Sequence, residues 1–519
     1  MGALVKDKSE AVEDSAKPEE KIGAQGQPPL FGGAGSLLAF PCPPMAEGAK
    51  TPSMILSMDS LPSAEGERIR GLANAAKESG GQLLVVGGAV RDLLLGFQPV
   101  EFDLEVFGLG LPEIQSSLGK VAALLPVGRS FPVFKVKGHP IDIALPRKEW
   151  KTGHRHTDFA FDADPEMDFA TAARRRDFTI NAIGWDPLTN EMQDPFGGIK
   201  DLKNKRLRHV SEQFGEDVLR VLRAMQFVAR FDLTPDPGTI AVCRDLEQTH
   251  LAQERIFVEW KKLLLQGIKP SAGLFFLEEV GWLRFYPELA ATVDCPQDPR
   301  WHPEGSVWRH TCFCLDAFAQ NRIGDEMEDL VVGLAVLCHD LGKPATTVHT
   351  EDGAIRSPGH EKAGVTPTRS LLKRLSREKS WIEEVEPLVA THMRPRQLYE
   401  HQSGAAAVRR LAEKAGRLDR LLRVCRADSL GRPPMPPGDF PEGPWLLERA
   451  RELKVESSRP EPILQGRDLL ALGLSPGPEV GRLLQILFEE QLGGGFEDKE
   501  AGLQRAGELI GDSSSQDQS

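Results

Sequence analysis

A chain of 519 residues with 40% apolar content is long enough for three or four structural units and apolar enough to give them cores. No apolar run reaches membrane-spanning length, and the seven cysteines lack C-x-x-C spacing, which excludes membrane-spanning helices, a disulfide framework and a zinc knuckle, and fits a reducing, cytoplasmic setting with no membrane partner. The formal charge of −13 argues only mildly against a nucleic-acid partner, because the local field of one face matters more than the total.

Residues 1–60 are rich in Gly, Pro, Ala, Ser, Lys and Glu without sustained periodicity, the composition of a disordered arm, and they lack the h-region of a targeting peptide; Met54 or Met58 offers an alternative start. An amphipathic helix is expected over 61–81, then an apolar strand over 83–86 that meets Gly87 and Gly88. Residues 89–95 have helical composition and Gly96 stops them. Such a strand, turn and helix N-terminus can cradle phosphate, with Arg91 adding a fixed positive charge. In the next strand Glu101, Asp103 and Glu105 alternate with Phe102, Leu104 and Val106, which predicts one buried face and one carboxylate face. Three like charges on one face repel unless cations sit between them, so this edge is a candidate divalent-cation site.

The run GGAVRDLLLG followed by Glu101-Phe102-Asp103 resembles the class II tRNA nucleotidyltransferases, the CCA-adding enzymes, and their relatives the bacterial poly(A) polymerases. That family usually carries Asp-x-Asp, and Glu101 stands at the first position here. The metal pair is therefore either Glu101 with Asp103 or Asp103 with Glu105. The resemblance implies a small mixed-sheet catalytic head, Mg²⁺ on these acids, and triphosphate held by Arg91 and the Gly87-Gly88 backbone.

A helix over 111–118 and apolar segments at 121–125, 133–136 and 141–145 continue the head. Asp142 on the last is either a third acid facing the cluster or a solvated strand residue. Residues 146–173 are charged and aperiodic, a long functional loop. In the resembled family the flexible loop that helps switch nucleotide specificity lies here, beginning at Arg147, Lys148 and Glu149. The sequence RRRDFTINA at 174–182 matches the same family closely. By that resemblance Asp177 reads the ribose of the incoming nucleotide, with Arg176 and Asn181 close by, and Asp194-Pro195-Phe196-Gly197-Gly198 forms the turn that leaves the catalytic sheet.

Residues 213–230 read as one helix with Asp217 and Arg220 three apart on one face. Read bare, this is a surface ion pair. Read through the resemblance, Glu216, Asp217 and Arg220, supported by Arg223, are the protein template that pairs with the base edge of CTP or ATP.

After a boundary at 296–305, histidines and carboxylates cap successive helices: His310, then His339-Asp340, His360, His392 and Asp428. Imidazole and carboxylate are the ligands that fix a catalytic divalent metal and leave a position for water. The order resembles the HD phosphohydrolase superfamily, which implies one ion on His310, His339, Asp340 and Asp428 and a second on His360 and His392. Two basic stretches, Arg369 with Lys373, Arg374, Arg377 and Lys379, and Arg409 with Arg410, Lys414, Arg417, Arg420 and Arg423, are either solvated faces or the seat of the tRNA backbone.

The expected organisation is α+β: a disordered arm (1–60), a small mixed-sheet nucleotidyltransferase head (61–202), an all-α neck and body (203–295), an HD phosphohydrolase domain (296–435) and a helical tail with a disordered end (436–519). The resemblance implies tRNA, CTP and ATP as partners and addition of CMP and AMP to the tRNA 3′ end. The alternatives are poly(A), CC-only or A-only addition, or a nucleotide-sensing regulator whose only catalyst is the HD domain.

Overall fold

A computed structural model describes residues 56–127, 133–151, 159–249, 251–436 and 439–516. Helix α1 (Ser63–Glu78) buries Ile69, Leu72, Ala73 and Ala76 on one stripe and leads into β1 (Gln82–Val86). After the diglycine corner come α2 (Gly88–Leu94), β2 (Phe102–Phe107), α3 (Leu111–Ser117), β3 (Leu124–Val127), β4 (Val133–Val136) and β5 (Ile141–Ala144). With β8 (Gly184–Trp185) and β9 (Met192–Gln193) these strands form one sheet in the order β3-β4-β5-β2-β1-β8-β9. Only β2 and β5 run parallel, so the sheet is mixed. Alternation decides its two faces. Leu83, Val85, Phe102, Leu104, Val106, Ile141 and Ile143 join the large core, whereas Leu84, Val86 and Phe107 pack on the other side against Met167, Phe169, Ala172 and Ala173. Most of that second cover is α4 (Phe169–Ala173), capped by the Asp168 carboxylate on the Thr171 amide.

Between these strands, β6 (Arg147–Lys151) pairs antiparallel with β7 (Phe159–Ala163). The expected aperiodic loop is therefore largely a hairpin. Its missed strand signal is Trp150 with Phe159 and Phe161, spread among charges; residues 152–158, the middle of the loop, lie outside the described residues.

Helix α5 (Gly198–Lys203) closes the head, and β10 (Arg206–Leu207) pairs with β11 (Thr234–Pro235) across α6 (Leu219–Phe231). Then α7 (Pro237–Asp245), α8 (Gln253–Gln266), α9 (Pro270–Glu279) and α10 (Pro287–Ala290) follow, with α6 packed on α8 and α9. The rest is helical apart from one short hairpin, β12 (Val348–His349) with β13 (Ile355–Arg356). The helices are α11 (Val307–Gln320), α12 (Glu326–Cys338), α13 (Lys343–Thr346), α14 (His360–Ala363), α15 (Val365–Leu375), α16 (Ser380–Thr391), α17 (Arg394–Glu400), α18 (Ala405–Ala415), α19 (Leu418–Leu430), α20 (Glu442–Glu452), α21 (Gly466–Ala471), α22 (Pro478–Gly493) and α23 (Lys499–Gln516). One apolar core runs from Leu56 to Val455, and a smaller one joins α21, α22 and α23 through Leu469, Leu483, Leu487 and Ala506. No helix among the described residues is long and apolar enough to cross a membrane.

Two expected disordered ends are corrected. Leu56 is 3% exposed and sits in the main core with Leu61, so the described end of the 1–60 arm is anchored by burial; residues 1–55 lie outside the description. At the other end α23 carries helix through Gln516, past the Ser513 at which disorder was expected, and 517–519 lie outside the description.

Candidate active sites

The strand β1 ends in a left-handed corner. Gly87 has φ 76°, and a Cβ added to it would lie 2.7 Å from Nη1 of Arg176 and 3.7 Å from Oδ2 of Asp103. Diglycine corner, Arg176 and Asp103 are thus gathered round one point, where the positive φ favours glycine and a side chain would have to displace the Arg176 tip. In β2, Asp103 lies opposite Val86 on one side and opposite Asp142 of β5 on the other. Asp142 is accordingly the lateral neighbour of Asp103, where it also accepts from Nζ of Lys135 at 3.0 Å. Glu101 stands just before β2, exposed. The Asp103 side chain opens to solvent, yet its carboxyl titrates above its ordinary value. Protein crowding is the main cause; Arg176 opposes it, and the charges of Asp142, Glu101 and Glu105 add to it. Acids that suppress one another's ionisation at an opening to solvent fit a magnesium ion, which takes one or two carboxylates and keeps several waters.

Two expectations for this edge are corrected. Glu105 shares the face of Asp103 but not the opening, being 1% exposed beneath the 167–182 segment, with Oε1 on Arg175 at 2.9 Å and Oε2 on Arg176 at 3.3 Å. Burial pushes its carboxyl up, but the two guanidinium charges outweigh that and hold it below its ordinary value. Both oxygens are taken, which removes Glu105 as the metal partner of Asp103. Arg91, expected to reach a triphosphate, is 5% exposed instead. It donates to Asp92 at 2.7 and 2.8 Å and to Oδ1 of Asn181 at 2.7 Å, and its guanidinium lies over the rings of Phe227 and Phe231. The following Asp92 and the distant aromatic helix draw it inward, which the local motif does not reveal.

The chain from Arg91 continues inward. Asn181 donates to Oδ1 of Asp177 at 2.9 Å, and Arg223 of α6 grips Oδ2 of Asp177 from Nε at 2.7 Å and Nη2 at 2.6 Å. Burial raises the Asp177 carboxyl, yet Arg223 and the Asn181 amide overcome it and hold it low, while the guanidinium of Arg223, itself penalised by burial, is raised by Asp177. Arg91, Asn181 and Asp177 therefore form one buried line from the corner to the half-buried Arg223 of α6.

The expected helix over 213–230 is broken. A 3-10 turn covers Glu212–Glu216, Asp217 is extended, and α6 begins only at Leu219. Asp217 and Arg220 do not pair with each other. Asp217 accepts from the Leu219 amide at 3.1 Å and from Nη2 of Arg255, on α8, at 2.7 Å. Arg220 donates to the carbonyls of Gln213 at 2.8 Å and Arg175 at 2.6 Å. The start of the helix, rather than its face, carries these two side chains, because the Asp217 carboxylate closes the first turn. Arg255 on α8 went unread in the sequence; its only signal was the Glu254-Arg255-Ile256 start of an amphipathic run.

The second constellation is brought together completely. His339, His360 and His392 each donate from Nδ1 to the carbonyl three residues earlier, of Val336, Ser357 and Val389, at 2.7–2.8 Å. Every Nε2 lone pair is left facing inward. His310 of α11 places Nε2 3.0 Å from Oδ1 of Asp428 and 3.8 Å from Oδ2 of Asp340. His360 and His392 bring their Nε2 atoms within 3.1 Å, and His360 lies 3.3 Å from Oδ1 of Asp340. Among the described residues potential ligand atoms fall into three groups, His310 with Cys314, His339 and Asp428, Asp340 with His360 and His392, and His302 with Glu304 and His310; the first two hold the expected ligands. The expected assignment of Asp340 to the first group alone is corrected, since its two oxygens face different groups and its carboxylate bridges them. Nε2 of His339 is buried 3.3 Å from Oδ2 of Asp340, too poorly aligned to make a hydrogen bond. An orphaned imidazole nitrogen among buried carboxylates fits a divalent metal. Burial pushes Asp340 up, but His339 and Lys343 hold it well down; burial and the neighbouring imidazoles His339 and His360 push His392 down to about 4. His392 is thereby kept neutral beside an ionised Asp340, the protonation states a metal requires, whereas His339, lowered by burial, is raised above its ordinary value by Asp340 and Asp428. Lys343, 2.7 Å from Oδ2 of Asp340, and Arg432, 3.1 Å from Oδ1 of Asp428, add positive charge at the rim.

The basic stretches are mostly spent inside the protein. Arg369 pairs with Glu386, Arg374 with Glu288, Arg377 with Glu254, Arg409 with Glu497, Arg410 with Glu489, Arg417 and Arg420 with Glu328, and Arg423 with Asp329. Lys373, Lys379 and Lys414 are exposed.

Residues 83–208 match the Poly A polymerase head domain and residues 310–432 the HD domain. A "Multifunctional CCA protein" of Xanthomonas campestris pv. campestris is 35% identical over 419 residues, covering 78% of this chain and 96% of its own. The chain belongs to the multifunctional CCA protein family. A second member, from Xylella fastidiosa, is 37% identical over 382 residues, 70% of this chain and 87% of its own. Among solved structures, the Bacillus stearothermophilus CCA-adding enzyme in complex with CTP superposes with a TM-score of 0.57 at 22% identity, covering 86% of this chain and 98% of that one. The Thermotoga maritima CCA-adding enzyme complexed with tRNA_CCA gives 0.54 at 18%, covering 87% and 97%. Those likenesses show that the CCA-adding fold is shared. Both the nucleotidyltransferase head and the HD domain of a multifunctional CCA protein belong to metal-dependent families.

Proposed function

We propose that the chain is a tRNA nucleotidyltransferase that builds or repairs the 3′-terminal CCA from CTP and ATP, and that its HD domain is a separate metal-dependent phosphohydrolase. The observation that carries the first reading is the gathering of Asp103, Gly87 and Arg176 at one point beside Asp142. In the reaction the tRNA 3′-oxygen forms a bond to the α-phosphorus, the bond from that phosphorus to the β-bridging oxygen breaks, and pyrophosphate leaves. Magnesium bound at Glu101 and Asp103 would lower the pKa of the 3′-hydroxyl and neutralise charge on the leaving group. Asp103 and Glu101 orient the reacting end, Arg176 and the Gly87-Gly88 backbone border the triphosphate, and Arg91 acts from behind by holding Asn181. Asp177, held by Asn181 and Arg223, borders the ribose. Asp217 and Arg220 offer an acceptor and a donor to the base edge once nucleotide replaces their present partners, with Glu216 beside them. In the HD domain His310, His339, Asp340 and Asp428, with His360 and His392, would hold the metal, and Lys343 and Arg432 would take up phosphate charge.

The test offers tRNA transcripts lacking A, CA or CCA with labelled CTP or ATP and Mg²⁺. Ordered completion to CCA is expected; single-base addition, a long A tail or no product overturns the assignment. Asp103→Ala should lower incorporation by about a thousandfold or more while the protein stays folded, since metal binding supplies several kcal/mol of charge stabilisation. The double variant His339→Ala, Asp340→Ala should lose hydrolysis of a 2′,3′-cyclic phosphate end yet keep nucleotide addition.

A further inference from the structure

Each histidine of the HD cluster is oriented through Nδ1, but not by the same kind of acceptor. His339, His360 and His392 use main-chain carbonyls. His310 instead meets a carboxylate: Oε1 of Glu304 lies 2.7 Å from its Nδ1, with the Gly431 carbonyl at 3.1 Å as a weaker second acceptor. The same Oε1 lies 2.8 Å from Nδ1 of His302, whose ring packs edge-on against His310 with centroids 4.7 Å apart. The Glu304 side chain is closed to solvent, and its Oε2 is buried without a hydrogen bond. A buried carboxylate with an unsatisfied oxygen is costly to keep unless its charge is used. The turn that delivers it is braced: Nε2 of Gln297 donates to the Gly305 carbonyl, and Oε1 of Gln297 accepts from Lys343, which itself pairs with Asp340.

We propose that Glu304 is a positioning residue for the divalent cation at His310: it keeps the proton on Nδ1, turns the Nε2 lone pair toward Asp428 and Asp340, and lends negative charge that makes the imidazole a stronger donor. This rests on the reading of the HD cluster as a metal centre. Because the Gly431 carbonyl alone can hold the tautomer, charge and orientation are separable. Glu304→Gln removes the charge and keeps an acceptor, whereas Glu304→Ala removes both.

The experiment titrates Co²⁺ alone into the full chain carrying Asp103→Ala, so that the head site does not contribute, following the visible cobalt absorption and, in parallel, the melting temperature of the metal-free protein. Glu304→Ala is expected to weaken Co²⁺ binding by about 10- to 100-fold, the range for loss of a group that orients a ligand, and Glu304→Gln by a smaller factor, with melting of the metal-free protein little changed. Unaltered affinity in both variants overturns the proposal, as does a loss of affinity that appears only in step with a lowered melting temperature in both. The readout is affinity, so a chain whose Co²⁺ affinity depends on Glu304 but which hydrolyses no phosphate ester overturns the hydrolase reading and leaves this one standing. A parent that takes up no Co²⁺ overturns both.

Discussion

Asp103 and Glu105 are two residues apart on one strand, on the same face, and do opposite work. Asp103 opens to solvent among other acids, and Glu105 is shut beneath Arg175 and Arg176. Substitution should separate them. Glu105→Gln leaves two guanidinium groups facing a neutral amide and is expected to cost about 3 kcal/mol, the low end for breaking a buried pair because both arginines reach water. Asp103→Ala is expected to cost little stability and most of the activity. Urea denaturation of the two variants checks the difference. A pH dependence follows from the lowered carboxyls of Glu105 and Asp177. Their folded-state values lie below the unfolded ones, so the unfolded chain takes the proton first on acidification. The stabilisation is whole above about pH 4.3, the ordinary glutamate value, and is lost as pH falls through the folded values. The stability gap between wild type and Glu105→Gln should therefore close in acid.

At the scale of elements, the HD centre depends on how closely two segments approach. Gly342, four residues after the end of α12, would place a Cβ 2.0 Å from the carbonyl oxygen of His360 and 2.5 Å from the Gly364 nitrogen. Main chain on both sides cannot yield as a side-chain tip would. Gly342→Ala is thus expected to push α14 away from the segment that carries His339 and Asp340, parting the two donor groups that Asp340 bridges. Loss of hydrolysis and of the second bound Co²⁺, with nucleotide addition retained, is the expected outcome; a variant that keeps both Co²⁺ sites contradicts it. Gly87→Ala acts on the other centre. Its backbone, φ 76° and ψ −134°, costs a residue with Cβ about 1–3 kcal/mol, and the new methyl displaces Arg176 from the corner, so incorporation should fall far more than stability does.

For the whole molecule, the question is what binds a polyanion on a chain of charge −13. Most arginines of the two basic stretches are committed to acids on neighbouring helices; Arg420, for example, meets Glu328 at 2.6 Å on one side and Glu384 on the other. Arg420→Ala should therefore lower the melting temperature. The exposed lysines Lys373, Lys379 and Lys414 are different. Replacing any of them by Ala should leave melting unchanged, and each one that contacts tRNA phosphate should reduce the slope of log affinity against log salt by about one. Filter binding over a salt series measures this, and a slope unchanged by all three substitutions would move the tRNA backbone to another face.

The local pattern of side chains determined the strand, turn and helix that open the head, the later helices, the acids of β2 and the histidines at successive helix ends, because strand alternation, glycine punctuation and helix-capping residues act over a few positions and leave their mark in order along the chain. The mixed sheet was implied only by the family resemblance. Helix ends and the hairpin of β6 with β7 were less legible, since a single carboxylate such as Asp217 can stop a helix that periodicity would continue. What each charged residue does was decided only in three dimensions. Glu105 and Asp103 look alike in sequence, as do Arg91 and Arg176, and they part company because segments 70 or 90 residues away bury one of each pair and leave the other by the opening. Charge and spacing are local properties, but burial and partnership are not, and it is burial and partnership that set whether a carboxylate holds a metal or holds the fold.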